Sequence, residues 1–270
     1  MLPDEVFYQI LKKADLDANA SQSIEKSLSK LSKLSEDSIV DAIKEGFYSL
    51  DRKLQELDVI KREEDKSGTT VVACLLTPNR LFLINCGDSR AIFVKGDQIE
   101  LNTFDHKPTQ LKERERIQNA GGLVALHRVN GGLATSRGLG DFEYKNVKDV
   151  SDTIKFTPNR QYVSSEPDVF YSPRDAQDKF VILACDGVWD VVKNEDVKEY
   201  FSNKINTRNV DIQQLEVVND ELLDSCLEKV SLIMGLFFLT GKIFILFLKG
   251  SRDNMSIISI FFKKKNNPRI

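Results

Sequence analysis

The stretch TTVVACLLTPNRLFLINCGDSRAIFVKGDQIEL, residues 69–101, decides the fold class of this 270-residue chain. Apolar runs rich in valine, leucine, isoleucine and phenylalanine alternate here with the short polar segments TPNR, GDSR and GD. Glycine, proline, asparagine and aspartate favour turns, and short apolar runs between turns favour strands. The stretch therefore predicts an antiparallel meander of short strands.

Helical patterns lie on both sides of this meander. Residues 3–66 have the helical period, and after the capping residue Ser35 one apolar stripe recurs every three or four positions: Ile39, Ile43, Phe47, Leu50, Leu54 and Leu57. Downstream, we expect helices near residues 112–122, 195–201 and 213–228, and strands near 123–126, 168–171, 180–184 and 255–262. Because helices come before and after runs of strands, the sequence predicts an α+β fold.

Composition limits the class of protein. With 41% hydrophobic and 29% charged residues, the chain fits one globular domain over residues 1–270. A net charge of −3 with both signs scattered argues against a nucleic-acid partner, and the basic tail at 263–270 is interpreted as a solvated terminus. No secretory signal is visible at the start, and four widely spaced cysteines favour buried free thiols: Cys74, Cys86, Cys185 and Cys226. We expect an intracellular protein, cytoplasmic, nuclear or both.

Carboxylates at the ends of strands are the candidate chemistry. The run FVILACDGVWD predicts a buried strand that ends at Asp186, with a second acid at Asp190. Asp253 immediately precedes another predicted strand, and Asp105 stands beside His106 in a loop. Such oxygen ligands suit Mg²⁺ or Mn²⁺. Taken singly, however, Asp186 and Asp253 are better explained as turn residues, and His106 as an exposed loop histidine.

Several other chemistries lack their signatures. The chain contains no phosphate-binding Gly-x-x-x-x-Gly-Lys loop and no Gly-x-Ser-x-Gly elbow. Two histidines and no paired cysteines make a zinc site of the usual ligand type improbable. What remains is carboxylate and metal chemistry.

Eight motifs, in order, resemble those of the metal-dependent type 2C (PPM-type) protein serine/threonine phosphatases of the animal-like subfamily. The resemblance runs over residues 65–262, and its motifs are SGTT (67–70), NCGDSRA (85–91), DHKP (105–108), ERIQNAGG (115–122), RVNGGLATSRGLGD (128–141), SEPDV (165–169), ACDGVWDVV (184–192) and GSRDNMS (250–256). It implies two packed antiparallel β-sheets flanked by helices, and metal-dependent hydrolysis of phosphoserine and phosphothreonine in protein substrates by a monomer.

The resemblance also implies site residues. Asp186 and Asp253 match ligands of a two-metal Mg²⁺ or Mn²⁺ centre, which generates the attacking hydroxide. Asp105 and Asp190 match a weaker third metal site. Structural turn roles and substrate contact are both open for the segment that contains Thr135, Ser136, Arg137, Gly140 and Asp141, whereas Asp88 is expected to be a turn residue.

The sequence departs from the family at its start. Family members begin with a phosphate-binding arginine, an acidic pair and the motif Asp-Gly-His-Gly-Gly, and none of these occurs in the 270 residues. We therefore expect a phosphatase domain that is incomplete at its N-terminus, lacks the first strands, binds metal weakly and has little activity, with no catalytic residue assigned. The alternative is an inactive phosphatase-like interaction module.

A second departure is the apolar run at residues 230–249, VSLIMGLFFLTGKIFILFLK. Its length approaches the roughly 20 residues of a membrane-spanning helix. It separates Lys229 from Gly250, and its removal restores the family pattern. We interpret it as translated intron sequence or a gene-model error, and a membrane anchor as the less favoured alternative, since such an anchor would separate the strand after Asp253 from its core.

Overall fold

A computed structural model describes residues 34–145, 160–205, 212–230 and 255–262 of the chain. These residues form two compact units. The first takes its described residues from Met1–Asp88 and Phe104–Tyr171, and the second from Ser89–Thr103 and Ser172–Ile270. The expectation of a single domain over residues 1–270 stays a prediction.

The first unit is organised around helix α1 (Glu36–Gln55). Ser35 caps the helix as predicted, because its Oγ accepts a hydrogen bond from the backbone N–H of Ser38. The predicted apolar stripe packs in one cluster with buried residues of two strands, although Leu54 is only partly buried and Leu57 lies outside the cluster. Leu57 is 44% exposed because α1 ends at Gln55 and the chain turns into the short helix α2 (Asp58–Lys61).

The sheets of the first unit are small. One has the order β2-β3-β9, where β2 is Val71–Leu76, β3 is Arg80–Cys86 and β9 is Asp168–Pro173. Two short pairs accompany it, and both are antiparallel: β1 (Gly68–Thr69) with β8 (Leu139–Gly140), and β6 (Val124–Ala125) with β7 (Arg128–Val129). Helix α3 (Leu111–Asn119) precedes β6 in the sequence.

The second unit contains a four-stranded antiparallel sheet with the order β11-β10-β4-β5. Its strands are β4 (Arg90–Lys95), β5 (Gln98–Asn102), β10 (Asp178–Ala184) and β11 (Ile257–Phe261), and its helices are α4 (Asp186–Trp189), α5 (Asn194–Lys204) and α6 (Ile212–Val230). One apolar cluster joins the inner residues of this sheet to the helices. These elements confirm the predicted α+β class and the strands and helices that were predicted after residue 101.

The predicted continuous meander is wrong at one point. β2 pairs with β3 and β4 pairs with β5, but β3 and β4 belong to different sheets. A strand has only two edges, and β3 uses its edges for β2 and β9 while β4 uses its own for β10 and β5. The segment GDSR is therefore a connection between sheets and not a hairpin. Gly87, with φ of +126°, makes this turn against Thr70, where a Cβ atom would lie 2.4 Å from the threonine Cβ.

Several predictions lie outside the described residues: the helices proposed before residue 34, the basic tail at 263–270, Asp253, and all of the apolar run except Val230. Among the described helices, none combines the length and apolar composition needed to cross a bilayer. Cys86 and Cys226 are buried as predicted, whereas Cys74 and Cys185 are only partly buried.

A buried ion pair ties helix α1 to the loop that follows β8. The Nζ atom of Lys145 lies 2.6 Å from Oδ2 of Asp51, and both side chains are only 3% exposed. Asp51 also accepts a hydrogen bond from the backbone N–H of Gly140, and Lys145 donates to the carbonyl of Gly138. Each buried charge therefore has a charged partner and a backbone partner.

Removal of one partner tests this pair. We expect Asp51→Ala to lower the free energy of unfolding by about 3–5 kcal/mol, because it leaves the Lys145 ammonium buried and unpaired. Urea denaturation followed by circular dichroism measures the change. The matched control is Arg52→Ala at the next position, which removes an exposed pair with Glu45 and should cost less than about 1 kcal/mol. Equal losses in the two variants would contradict the assignment.

Candidate active site

The first candidate element is the acidic turn, residues 185–190, at the end of strand β10 in the second unit. β10 lies between β11 and β4 in its sheet, and the chain passes from Ala184 through Cys185 into helix α4. Asp186 is the first residue of α4 and is half-buried, while Asp190 ends the helix and is exposed. The backbone N–H of Asp190 donates to the carbonyl of Asp186 at 2.8 Å. The predicted acids at the end of a buried strand are confirmed as a single turn.

The second candidate element is the loop that carries Asp105, in the first unit. Asp105 is half-buried, but the adjacent His106 is only 3% exposed. The backbone N–H of Gly87 donates to His106 Nδ1 at 3.0 Å, so the ring proton is on Nε2, which donates to Asp168 Oδ2 at 3.1 Å. Both ring nitrogens are thus occupied. The interpretation of His106 as an exposed loop histidine is wrong, because its buried ring braces this loop.

The backbone of the same loop is fixed from a second side. The His106 carbonyl accepts hydrogen bonds from the backbone N–H and the hydroxyl of Ser136, both at 2.9 Å, and from the hydroxyl of Thr135. The amide of Asn85 donates to the carbonyl of Phe104 at 2.9 Å. Asp105 therefore stands on a backbone that is held at the residue before it and at the residue after it.

Arg137 is at the centre of a partly buried ionic network in the first unit. Its Nε and Nη2 atoms donate to the carboxylate of Glu113, at distances down to 2.6 Å, and its Nη1 donates to Asp168 and to the carbonyl of Glu166. Glu113 also accepts from Arg116, and it shares the single hydroxyl hydrogen of Ser136 with the His106 carbonyl. The guanidinium is surrounded by protein acceptors, which favours the structural role of Arg137 over substrate contact.

Other segments that the sequence singled out also have structural contacts. The carboxylate of Asp88 accepts from Lys107, in line with a turn residue. Asp141 has a left-handed backbone with φ of 50°, and its N–H donates to the carbonyl of Ser67. Gly140 must be glycine, since a Cβ atom there would lie 2.4 Å from that same carbonyl oxygen.

The network shifts the protonation of its acids. Burial raises the pKa of Glu113, but the hydrogen bonds and charges of Arg137 and Arg116 outweigh it and lower the pKa to about 2. Asp168 behaves likewise: burial is opposed by the hydrogen bond from His106 and the charge of Arg137, which together lower its pKa to about 2. Both acids are carboxylates at neutral pH, and the pKa of Arg137 is raised in return.

The predicted metal ligands are only partly assembled by the residues that the structure describes. Asp186 and Asp190 share one turn of the second unit, Asp105 belongs to the first unit, and Asp253 is not described. No three histidine, cysteine, aspartate or glutamate side chains within the described ranges are placed to hold a metal ion. The donor chemistry fits Mg²⁺ or Mn²⁺, since the available ligands are accessible carboxylates, but the described ligand set is incomplete.

The roles of Glu113 and Asp168 in the Arg137 network, and of His106 in bracing its loop, were not predicted from the sequence. Glu113 precedes the buried Ile117 by one helical turn, so it occupies the inward face of α3. A charged residue on the apolar face of a helix was the signal that could have identified it. Its partner Arg137 lies 24 residues away, and no spacing rule predicts that contact.

The network predicts acid sensitivity. Because Glu113 has a pKa of about 2 in the folded state against an ordinary value of 4.5, its contribution to stability is full above about pH 4.5 and is lost as the pH falls toward 2. We expect Glu113→Gln to remove on the order of 3 kcal/mol at pH 7 and to flatten the dependence of the unfolding free energy on pH in that window. Chemical denaturation at about pH 3, 4, 5 and 7, which covers the range between the folded and ordinary pKa values of Glu113, measures both effects.

The control for this prediction is Glu115→Gln, on the exposed face of the same helix. It should leave the unfolding free energy and its pH dependence nearly unchanged, since exposed charges contribute little. If Glu113→Gln keeps the wild-type acid slope, Glu113 is not the group that titrates.

Comparison with known proteins places these features in a family. The family model for protein phosphatase 2C matches residues 6–231. The chain is 38% identical over 237 residues to protein phosphatase 1B of Homo sapiens, covering 88% of this chain and 43% of that protein, and 38% identical over 235 residues to protein phosphatase 1A of Homo sapiens, covering 87% and 53%. It spans about half the length of these curated relatives.

Solved structures agree on the fold. Serine-threonine phosphatase 2C from Toxoplasma gondii superposes with a TM-score of 0.62 at 19% identity, covering 97% of this chain and 79% of that one. A C. elegans sex determining protein superposes with a TM-score of 0.61 at 22% identity, covering 95% and 51%. At these identities the structures support the α+β fold alone, whereas the family model spans most of the sequence. The chain belongs to the protein phosphatase 2C family.

Proposed function

We propose that this chain is the phosphatase domain of a protein serine/threonine phosphatase, which hydrolyses phosphoserine and phosphothreonine in protein substrates. The observation that carries the proposal is the acidic turn. Asp186 and Asp190 follow the buried central strand β10, inside the segment that the family model matches. An acid fixed at the end of a central strand has a defined position, as metal-assisted hydrolysis requires.

The metal requirement is part of the proposal. Asp186 and Asp253 would hold a pair of Mg²⁺ or Mn²⁺ ions, and Asp105 and Asp190 a weaker third ion. When bound, such ions supply Lewis acidity and a hydroxide at neutral pH. The contribution of the protein in the described part of the first unit is to hold Asp105: His106, Thr135 and Ser136 fix the backbone of its loop through the hydrogen bonds described above.

We also propose that the 270-residue chain has low activity by itself, because its sequence contains no Asp-Gly-His-Gly-Gly motif. Without that aspartate, less negative charge is available to bind two divalent cations. The second candidate function, an inactive phosphatase-like interaction module, is favoured by the same observation. The retained Asp186, Asp190, Asp105 and Asp253 favour an enzyme. Four widely spaced cysteines favour the cytoplasm or nucleus, and a net charge of −3 argues against a nucleic-acid partner, whereas the monomeric state is proposed from the family resemblance alone.

Hydrolysis of a phosphothreonine peptide tests the proposal. We expect slow Mn²⁺-dependent release of phosphate from the chain, a rise of at least about tenfold when a segment with Asp-Gly-His-Gly-Gly is fused to its start, and loss of activity in Asp186→Asn of the fused protein. The matched control is Asp97→Asn, an exposed acid of the β4–β5 turn, which should keep full activity.

The outcomes separate the candidates. If neither protein hydrolyses the peptide, the interaction module is the correct function. If the unfused chain is fully active, the expected need for the Asp-Gly-His-Gly-Gly motif is wrong. Activity that survives in Asp186→Asn would overturn the assignment of the acidic turn.

A further inference from the structure

The acidic turn contains the one tryptophan of the sequence, Trp189. Its side chain is 5% exposed and lies in the apolar cluster of the second unit. The indole Nε1–H donates to two backbone carbonyls, that of Ala184 at 2.9 Å and that of Arg90 at 3.0 Å. The only polar group of this large ring is therefore directed at the main chain of two strands and not at solvent.

The two acceptors are neighbours across the sheet. Ala184 of β10 and Arg90 of β4 form the last pair in the register of these strands. The indole N–H thus donates to the two backbone carbonyls at the end of the β4–β10 pairing, where β10 stops. A ring attached to two adjacent strands at once cannot rotate freely, so the backbone of residue 189 takes its position from the sheet.

Arg90 adds a second connection. Its guanidinium carbon lies 5.3 Å from the centroid of the Trp189 ring, within the range of a cation–π contact. Its Nη1 atom donates to the side chain of Asn194 at 2.8 Å, and Asn194 is the first residue of helix α5. The segment from Asp186 to Asn194 is therefore attached to strand β4 at two places.

Helix α4 needs such support. It contains four residues, and so short a helix does not hold its shape by itself in water. Its start is fixed where the N–H of Cys185 donates to the carbonyl of Ser256, and its end at Trp189. The hydrogen bond from the Asp190 N–H to the Asp186 carbonyl links the two acids within the turn, and the Trp189 indole links that end of the turn to the sheet.

We propose that Trp189 is a positioning residue, whose bifurcated hydrogen bond to the end of the β4–β10 ladder sets the orientation of the Asp186 and Asp190 carboxylates. The inference rests on the proposed function of the acidic turn. In this role Trp189 contacts neither metal nor substrate. Packing alone would be satisfied by phenylalanine, so the N–H is the group that distinguishes a positioning role from an ordinary core residue.

Trp189→Phe removes the N–H and keeps an aromatic ring. Hydrogen–deuterium exchange with mass spectrometry, on peptides covering residues 185–193 and 178–184, reports on the turn and on the strand separately. We expect the amides of the turn to exchange about tenfold faster in the variant, while those of β10 keep their protection. The matched control is Phe201→Leu in the same cluster, whose ring pairs with Phe180, Tyr200 and Phe261 and which should not accelerate the turn selectively.

Binding of Mn²⁺, followed by the electron paramagnetic resonance of the free ion, is the second readout. We expect binding to weaken by about tenfold or more in Trp189→Phe and to change little in Phe201→Leu. Unchanged exchange in the turn overturns the inference, and so does faster exchange with unchanged Mn²⁺ affinity. If the wild-type chain binds no Mn²⁺, the proposed metal site is wrong. The rate of hydrogen–deuterium exchange in residues 185–193 then decides by itself whether Trp189 fixes the acidic turn.

Discussion

The ion pair between Arg137 and Glu113 is the interaction on which the loops of the first unit depend. Glu113 comes from helix α3, Arg137 from the loop before β8, and Asp168 from the start of β9. One guanidinium therefore joins a helix, a loop and a strand that are distant in sequence. Through Ser136, the same network reaches the carbonyl of His106 and so the loop of Asp105. A planar, permanently charged group with five donors is suited to this task, and lysine would not replace it.

The two units are stabilised in different ways. In the first unit, the buried Asp51 pairs with the buried Lys145, and the buried Glu113 pairs with the partly buried Arg137. These directional contacts fix loops. In the second unit, the core cluster consists of apolar side chains from the four-stranded sheet and its helices. The acidic turn therefore stands on a tightly packed apolar base, and its polar attachments are confined to the end of the sheet.

Local pattern predicted the elements well but not their long-range contacts. The stripe on α1 was predictable because helix periodicity is a local property, and Leu57 departed from it only because the helix ended two residues earlier. The acids at the end of β10 were predictable for the same reason, since a buried strand followed by Asp-Gly is visible in the sequence. The separation of β3 from β4 was not, because strand alternation does not reveal which edges are already paired. Nor was the bracing of His106, whose partners Gly87 and Asp168 are brought to it by the fold.

At the segment GDSR the chain passes from the first unit to the second, and it returns to the first unit after β5. Each unit is therefore built from two separate stretches of the sequence. During synthesis, the β4–β5 hairpin leaves the ribosome about 80 residues before β10, the strand that completes its sheet. At the usual rates of about 5–20 residues per second, that hairpin waits on the order of 4–16 s with the backbone N–H and C=O groups of one β4 edge unpaired. Nascent chains of this protein therefore offer a binding site for chaperones during that interval, and a stop anywhere between β5 and β10 leaves a product with a permanently open sheet edge.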